Sequence, residues 1–250
     1  MIEDSPVAES ERLEAISSAD IFDLPFTARP VGRSLRAERR RTPSTYLRYR
    51  FWKRVIDILL IVLATPILLP ALLIVALLVR FSSPGPVFFS HRRICRGGAF
   101  FSMWKFRTMC VNSAEVLEQY LSQHPEARAE WNKSHKLRLD PRITPVGRFL
   151  RRSSLDELPQ VWNVLSGRMS LVGPRPIVAA EVQKYGTYFD CYCRVKPGVT
   201  GLWQVSGRST LSYDARVQLD CNYVRQWSLS RDLAILVQTL RSVVNSDGAF

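Results

Sequence analysis

Two adjacent carboxylates, Asp156 and Glu157, lie in a segment of the chain that is rich in arginine. Arg151 precedes this pair, and Arg175 follows it in the motif Gly173-Pro174-Arg175-Pro176. In phosphoryl transfer, one carboxylate can attack phosphorus while a neighbouring carboxylate binds Mg²⁺, a hard ion that prefers oxygen ligands. Guanidinium groups can neutralise the phosphate oxygens at the same time. These residue types therefore suit the transfer of a phosphorus-containing group.

The same residues also have a purely structural interpretation, which the local pattern alone favours. Ser154 followed three residues later by Glu157 is typical of a capping box, and acidic residues in a first helical turn suit the helix macrodipole. The arginines would then form a solvated face. Upstream, Lys105 and Arg107 are candidates for binding a substrate phosphate. Their alternation with aromatic residues fits equally well a strand with one wet face.

The elements that must position these residues begin with an apolar run over residues 55–79, interrupted by Thr65, Pro66 and Pro70. As a straight helix it would reach about 37 Å, against a hydrocarbon thickness of roughly 30 Å, so a spanning helix is the default. However, each proline removes a backbone donor, and both flanks of the run are basic, which favours the cytoplasmic side for both ends. The residues alone leave a spanning helix and a re-entrant helix-break-helix equally supported.

The rest of the chain predicts an α-rich α+β fold. A turn over residues 82–86 leads into a strand-like run over 87–89. Helices are predicted over about 113–131, from Ser154 onward, over 213–227 and over 231–244. The last helix carries one apolar face, for which the core is favoured over the membrane interface. That face consists of Leu233, Leu236, Val237 and Leu240.

The formal net charge of the 250-residue chain is +13, and it is unevenly distributed. Residues 1–27 carry seven acids and one base, whereas residues 28–54 carry ten bases and one acid. A basic excess suits an anionic partner, which can be nucleic acid, an anionic membrane surface or a phosphorylated substrate. The sequence has no helix-turn-helix, RNP or OB-type pattern, and carboxylates among the arginines would repel a phosphate backbone. We therefore predict that nucleic acid is not a partner.

A series of motifs in a fixed order, from Lys53 to about Arg225, identifies a family resemblance. The chain resembles the bacterial sugar transferases, the monotopic phosphoglycosyl transferases that start exopolysaccharide, O-antigen and glycoprotein glycan assembly, in their short form. The motifs that carry this resemblance are Lys53-Arg54 with Asp57, Ser83-Pro84-Gly85-Pro86-Val87-Phe88, Lys105-Phe106-Arg107-Thr108-Met109, Asp140-Pro141-Arg142-Ile143-Thr144, Ser154-Leu155-Asp156-Glu157-Leu158-Pro159-Gln160, Gly173-Pro174-Arg175-Pro176 and Lys196-Pro197-Gly198-Val199-Thr200-Gly201 through Gly207-Arg208.

The resemblance implies a reaction and a set of roles. Asp156 is expected to attack the β-phosphorus of a UDP-sugar, so that UMP leaves and a phosphosugar-aspartyl intermediate forms. Undecaprenyl phosphate then takes the phosphosugar. Glu157, with Asp156, is expected to bind Mg²⁺. Phosphate-binding arginines are expected at Arg151, Arg175 and Arg208.

The resemblance also implies where the protein works. Its apolar segment is expected to be re-entrant, with the break at Thr65-Pro66, and to leave a small catalytic domain with amphipathic interface helices on the cytoplasmic side of the bacterial inner membrane. We predict a disordered tail over residues 1–45, a basic flank and re-entrant helix over 46–81, and the catalytic domain over 82–250. Anionic inner-membrane lipid is an expected partner of the basic flank.

Three further functions stay open beside this one: a catalytically silent scaffold for polysaccharide assembly, a basic membrane-tethered nucleic-acid binder, and a glycosyltransferase that moves the sugar without its phosphate. The identity of the sugar, the glycan pathway and the oligomeric state, including a homo-oligomer, are left open, because no residue in the sequence indicates them.

Overall fold

The computed structural model describes residues 43–207 and 211–244. They form a helix-rich α+β fold with two small two-stranded sheets, which confirms the predicted fold class at this level. The elements are α1 (Pro43–Ser82), β1 (Phe88–Ile94), β2 (Phe100–Phe106), α2 (Ser113–Gln123), α3 (Pro125–Ser134), α4 (Pro145–Arg152), α5 (Gln160–Leu165), β3 (Ser170–Val172), α6 (Val182–Tyr185), α7 (Phe189–Tyr192), β4 (Gly198–Thr200), α8 (Leu202–Val205), α9 (Tyr213–Arg225) and α10 (Leu229–Val244), with short 3₁₀ turns at Arg96–Gly98, Leu155–Glu157, Ala179–Glu181 and Gly186–Tyr188.

Helix α1 is continuous over 40 residues, although Pro66 and Pro70 lie inside it. Helical backbone therefore passes through both prolines, and the membrane break expected at Thr65-Pro66 stays a prediction. The Thr65 hydroxyl donates a hydrogen bond to the Ile61 carbonyl at 2.8 Å, a contact that bends helices without ending them. Within the described residues, the segment Leu47–Ser82 is the one helix long and apolar enough to cross a membrane.

Both halves of α1 pack against the same body of protein. In the first half, Lys53 pairs with Asp232 of α10, and Ile61 belongs to a buried cluster with residues of β2 and α5. In the second half, Val75 and Val79 belong to a buried cluster with Phe106 and Leu150. The stretch between these two attachments is mostly exposed, and Ile67 has 80% of its surface accessible.

Strands β1 and β2 form an antiparallel hairpin in which Phe89 lies opposite Lys105 and Arg93 opposite Phe101. The strand predicted over 87–89 is thus the start of a longer strand. Directly opposite residues of an antiparallel pair point to the same face, so His91, Arg93 and Lys105 share one face of the hairpin. Strands β3 and β4 pair in parallel, with Ser170 opposite Gly198.

Two predicted helices differ from the observed ones. The helix predicted over 113–131 is divided into α2 and α3, because Pro125 starts a new helix at its first position. The C-terminal helix is confirmed, but most of its apolar face does not lie in the core. Leu233, Val237 and Leu240 are exposed, because α10 turns Asp232 and Ile235 towards the domain.

Candidate active site

The two carboxylates lie in a short turn and not at the start of a regular helix. Helix α4 ends at Arg152, and Ser154 then adopts a left-handed conformation with φ of 57° before the 3₁₀ turn Leu155–Glu157. The Ser154 side chain makes no capping hydrogen bond, so the capping box that the local pattern favoured is wrong. A non-glycine residue at positive φ is uncommon, and the backbone strain here turns the carboxylates towards β2.

Lys105 of β2 bridges the two carboxylates. Its ammonium nitrogen lies 2.7 Å from Glu157 Oε1 and 3.5 Å from Asp156 Oδ2. The side chain of Glu157 keeps 32% of its surface accessible, whereas that of Asp156 keeps 11%. Among the described residues, Lys105 donates a hydrogen bond to each of these two carboxylates. Both carboxylates therefore retain lone pairs for a ligand.

Burial controls the electrostatics of Asp156. Desolvation raises the pKa of Asp156 above its ordinary value, and the nearby charge of Glu157 raises it further. The positive charges of Lys105 and Arg151 oppose this rise without cancelling it. A carboxylate that is poorly solvated and only partly neutralised is a stronger nucleophile than one in water.

The structure brings one of the three predicted arginines near this turn, places a second beside Trp203 and leaves the third outside the described residues. Arg151 interacts with Asp156 through its charge, and its Nε donates a hydrogen bond to Thr108 Oγ1 at 2.9 Å. Arg175 is exposed, and its guanidinium lies 5.6 Å from the ring centroid of Trp203. Arg208 lies outside the described residues.

Arg107, proposed from sequence as a phosphate ligand, is used elsewhere. Its guanidinium donates to the Pro84 carbonyl at 2.6 Å and to the carbonyl and hydroxyl oxygens of Ser83 at 2.8 and 3.0 Å. Gly85 is packed so tightly against this group that an added Cβ would lie 2.1 Å from Arg107 Nη1. Arg107 therefore closes the turn after α1, and its role as a phosphate ligand stays a prediction.

Arg93 is a cation of the site that the sequence interpretation missed. Burial and the neighbouring charge of Arg175 lower the pKa of Arg93, whereas the charges of Glu181 and Glu157 raise it. Arg93 Nη1 donates to the Pro176 carbonyl at 3.2 Å, which ties β1 to the Gly173-Pro174-Arg175-Pro176 motif. The period-two alternation of His91 and Arg93, on the same face as Lys105, is the signal that predicts this placement.

The carboxylate oxygens of the turn fit Mg²⁺ in the way that phosphoryl-transfer sites bind this ion. No group of three or more His, Cys, Asp or Glu side chains that could enclose a metal occurs in the described part of the chain. Mg²⁺ keeps several waters and usually takes one or two carboxylates together with substrate phosphates. Asp156 and the more accessible Glu157 offer such carboxylates, and Lys105 shows that a cation can be held between them.

Comparisons with known proteins identify the family of this sequence. Residues 48–246 match the bacterial sugar transferase family. The chain is 50% identical over 205 residues to the undecaprenyl-phosphate galactose phosphotransferase of Salmonella typhimurium, covering 80% of this chain and 42% of that protein. It is 50% identical over 201 residues to the UDP-galactose-lipid carrier transferase of Erwinia amylovora, again covering 80% and 42%.

A shorter relative is matched over most of its length. The exopolysaccharide production protein ExoY of Rhizobium meliloti is 46% identical over 198 residues, which cover 79% of this chain and 88% of ExoY. The chain thus spans about two fifths of the longer relatives and most of the shorter one. The chain belongs to the bacterial sugar transferase family.

Proposed function

We propose that this protein is a phosphoglycosyl transferase that moves a sugar 1-phosphate from a UDP-sugar to undecaprenyl phosphate, releasing UMP, and so starts the assembly of an exopolysaccharide or related glycan. The names of the relatives support the substrate classes. The observation that carries the reaction is the buried Asp156 carboxylate, which has a raised pKa and shares one lysine with Glu157.

The proposed chemistry has two displacements at one phosphorus atom. An oxygen of Asp156 forms a bond to the β-phosphorus of the UDP-sugar, and the bond from that phosphorus to the bridging oxygen breaks, so that UMP leaves with the electron pair. A phosphate oxygen of undecaprenyl phosphate then attacks the same phosphorus and releases the Asp156 carboxylate. Burial of Asp156 excludes water, which would otherwise hydrolyse the acyl phosphate intermediate.

Cationic side chains around the turn would orient the diphosphate. Lys105 holds the two carboxylates and can exchange this contact for a phosphate oxygen when the donor binds. Arg93 interacts with the charge of Glu157 and Arg151 with that of Asp156, and Arg175 is a neighbour of Arg93. Arg208 remains a candidate from its motif alone.

Mg²⁺ would be held by Glu157 with Asp156, together with phosphate oxygens of the donor. When bound, it would neutralise negative charge that builds up on the diphosphate during the displacement. Replacement of Glu157 by glutamine should therefore raise the Mg²⁺ concentration needed for half-maximal UMP release by at least about tenfold, in line with the effect of altering a metal ligand set. An unchanged Mg²⁺ titration would remove Glu157 from this role.

We propose a re-entrant topology for α1. The attachments of Lys53, Ile61, Val75 and Val79 to one body of protein support it, because both ends of a helix held in this way stay on the same side of the membrane. The stretch between Ile61 and Val75 is thirteen residues long. As a helix it would reach only about 20 Å, which enters the membrane but does not cross roughly 30 Å of hydrocarbon.

The proposed location is the bacterial inner membrane, with the domain over residues 82–250 facing the cytoplasm, where UDP-sugars are made. Exposed apolar side chains on α4, α5 and α10 support amphipathic contact of these helices with the interface. They include Phe149, Trp162, Leu233, Val237 and Leu240. Residues 1–42 lie outside the described residues, and we propose that the tail is dispensable for the chemistry.

The topology can be tested by cysteine labelling in intact cells. In a variant without native cysteines, single cysteines at positions 46 and 89 should both be protected from an impermeant thiol reagent added outside. Labelling of either position would contradict the re-entrant model. Replacing Pro66 and Pro70 with leucine should shift the segment towards a spanning helix, because it restores two backbone donors.

The reaction can be tested with membrane fractions, a panel of UDP-sugars and undecaprenyl phosphate. The proposal predicts release of UMP with at least one UDP-sugar and formation of a polyprenyl diphosphosugar. Release of UDP would instead indicate glycosyl transfer without the phosphate. The absence of both nucleotides with every sugar would favour the scaffold.

A further inference from the structure

Four cationic side chains converge at the end of α5 opposite to the Asp156 turn. Arg54 lies in α1, and Arg96 lies in the turn after β1. Arg168 directly follows Gly167, and Lys196 directly precedes Pro197. We call these four residues the Gly167 cation cluster. A Cβ atom on Gly167 would lie 3.5 Å from Lys196 Nζ and 3.9 Å from Arg54 Nη2, so these two groups flank one point.

Two groups beside the cluster respond to its positive charges. Burial and the positive charges of Arg54 and Arg96 lower the pKa of Lys196. Burial raises the pKa of the Cys95 thiol, and the charges of Arg168, Arg96 and Lys196 oppose that rise. The half-buried Lys196 is therefore repelled by Arg54 and Arg96, and an anion bound among these cations would relieve that repulsion.

No carboxylate in residues 43–207 or 211–244 lies within salt-bridge distance of any member of the cluster. The acid that acts on Lys196 is Asp57, and that carboxylate accepts hydrogen bonds from the Ser170 hydroxyl at 2.8 Å and the Leu171 amide at 3.2 Å. Arg96 Nη1 is buried without a hydrogen-bond partner among the described residues. The cluster thus has donors and charge available for a ligand.

The position of the cluster indicates where its ligand comes from. Arg54 donates hydrogen bonds to the carbonyls of Val164 and Leu165 at the end of α5, so its guanidinium is fixed. It lies one turn before exposed apolar residues of α1, including Ile58, Leu59 and Val62. In the proposed membrane topology, this is the level of the lipid headgroups.

We propose that the Gly167 cation cluster binds the phosphate group of an anionic glycerophospholipid, at a site separate from that of the reacting phosphosugar. The inference rests on the proposed membrane seating of α1. It does not depend on the chemistry at Asp156, since none of the four cations is among the groups that act on that carboxylate. A bound lipid would hold α1 and α5 together at the membrane surface.

Native mass spectrometry of the full chain, released from equimolar micelles of phosphatidylglycerol and phosphatidylcholine, tests this site. The mass of the adduct distinguishes phosphatidylglycerol from phosphatidylcholine and from inorganic phosphate, which is added in a parallel sample. Lys196→Gln should weaken phosphatidylglycerol binding about fivefold, and Lys196→Gln with Arg96→Gln about 25-fold, as expected for about 1 kcal/mol per charge. Lys133→Gln, which removes an exposed lysine of α3, is the matched control and should bind as the parent does.

Three results would overturn the proposal: no phosphatidylglycerol adduct on the parent protein, equal adducts on the parent and the double variant, or equal loss in Lys133→Gln. An inorganic phosphate adduct that is lost in the double variant, without a lipid adduct, would show that the cluster takes free phosphate and would contradict the lipid assignment. UMP release is measured on the same samples. Loss of the lipid adduct with normal UMP release concerns this site alone, whereas an inactive parent protein that binds lipid counts against the proposed function.

Discussion

Two lysine–carboxylate contacts of the same length have very different surroundings in this protein. Lys53 Nζ lies 2.7 Å from Asp232 Oδ2, and Lys105 Nζ lies 2.7 Å from Glu157 Oε1. Asp232 also accepts hydrogen bonds from the hydroxyls of Tyr49 at 2.8 Å and Tyr223 at 2.6 Å. Its carboxylate is saturated by three donors, two from α1 and one from α9, so these contacts fasten the apolar helix to α9 and α10 of the domain.

The carboxylates at the Asp156 turn lack such support. Asp156 and Glu157 share Lys105, and the more distant contact, to Asp156, is 3.5 Å. An incompletely satisfied buried carboxylate costs free energy that a purely structural site would have no reason to retain. The number of donors around a carboxylate, rather than the presence of a salt bridge, therefore separates the anchor from the reactive site in this protein.

The largest expected effect is on turnover. Asp156→Asn should lower UMP release by at least about 1,000-fold, because an amide cannot act as the nucleophile. The raised pKa of Asp156 means that its contribution to folding is greatest when it is protonated and is lost as the pH rises through the folded-state value. At neutral pH the variant should therefore be at least as stable as the parent. Asp214→Asn, at an exposed acid of α9, is the matched control and should keep normal turnover.

The anchor should respond in the opposite way. Asp232→Asn should lower the free energy of unfolding by about 3 kcal/mol, because it leaves the buried Lys53 ammonium without its counter-ion. UMP release per folded molecule should change by less than about threefold, since the anchor makes no contact with the Asp156 turn. Denaturant unfolding in detergent and turnover on the same preparation measure both quantities. Unchanged stability with lost turnover would reverse the two assignments.

A smaller effect is expected at Lys105. Lys105→Met removes a positive charge that holds the pKa of Asp156 down, so that pKa should rise further. Since Asp156 must be ionised to react, the acidic limb of the pH profile of kcat/KM should move to higher pH. Lys133→Met controls for loss of a lysine elsewhere. An acidic limb that stays in place would show that Asp156 is not the group that titrates.

The smallest effect concerns Arg107. Arg107→Lys loses the forked contact with Ser83 and Pro84 and should cost about 1–2 kcal/mol of stability. The KM for the UDP-sugar should not change, because this guanidinium is committed to backbone carbonyls. A several-fold rise in KM with unchanged stability would restore Arg107 as a phosphate ligand. Arg151→Lys provides the contrast, since Arg151 acts on Asp156 and should alter turnover.

Much of this arrangement could be predicted from sequence, because the residues that do chemistry lie in short local motifs. The family, the α-rich α+β class and the two C-terminal helices were predicted correctly. The different contacts of Lys105 and Arg107 were not predicted, because they depend on which distant loop each side chain reaches. Likewise, the donors that saturate Asp232 come from α1 and α9. Tyr49 and Asp232 are about 180 residues apart along the chain, so no local pattern predicts that they are in contact.

The prolines of α1 show a second limit of prediction from the sequence. Their chemistry correctly identifies two missing backbone donors, but whether a helix ends there depends on what holds its two halves. Here Ile61 and Val75, on either side of the prolines, pack against residues that are distant along the chain. Local propensity alone could not anticipate that helical backbone would continue through Pro66 and Pro70.

The most direct test of the central claim is to trap the proposed intermediate on Asp156. The protein is mixed with the UDP-sugar that supports turnover, without polyprenyl phosphate, and is quenched and digested for mass spectrometry. The account predicts a stoichiometric burst of UMP, a phosphosugar on the peptide that contains Asp156, and loss of that adduct when undecaprenyl phosphate is added before the quench. Release of UDP, or an adduct on a residue other than Asp156, would contradict the account.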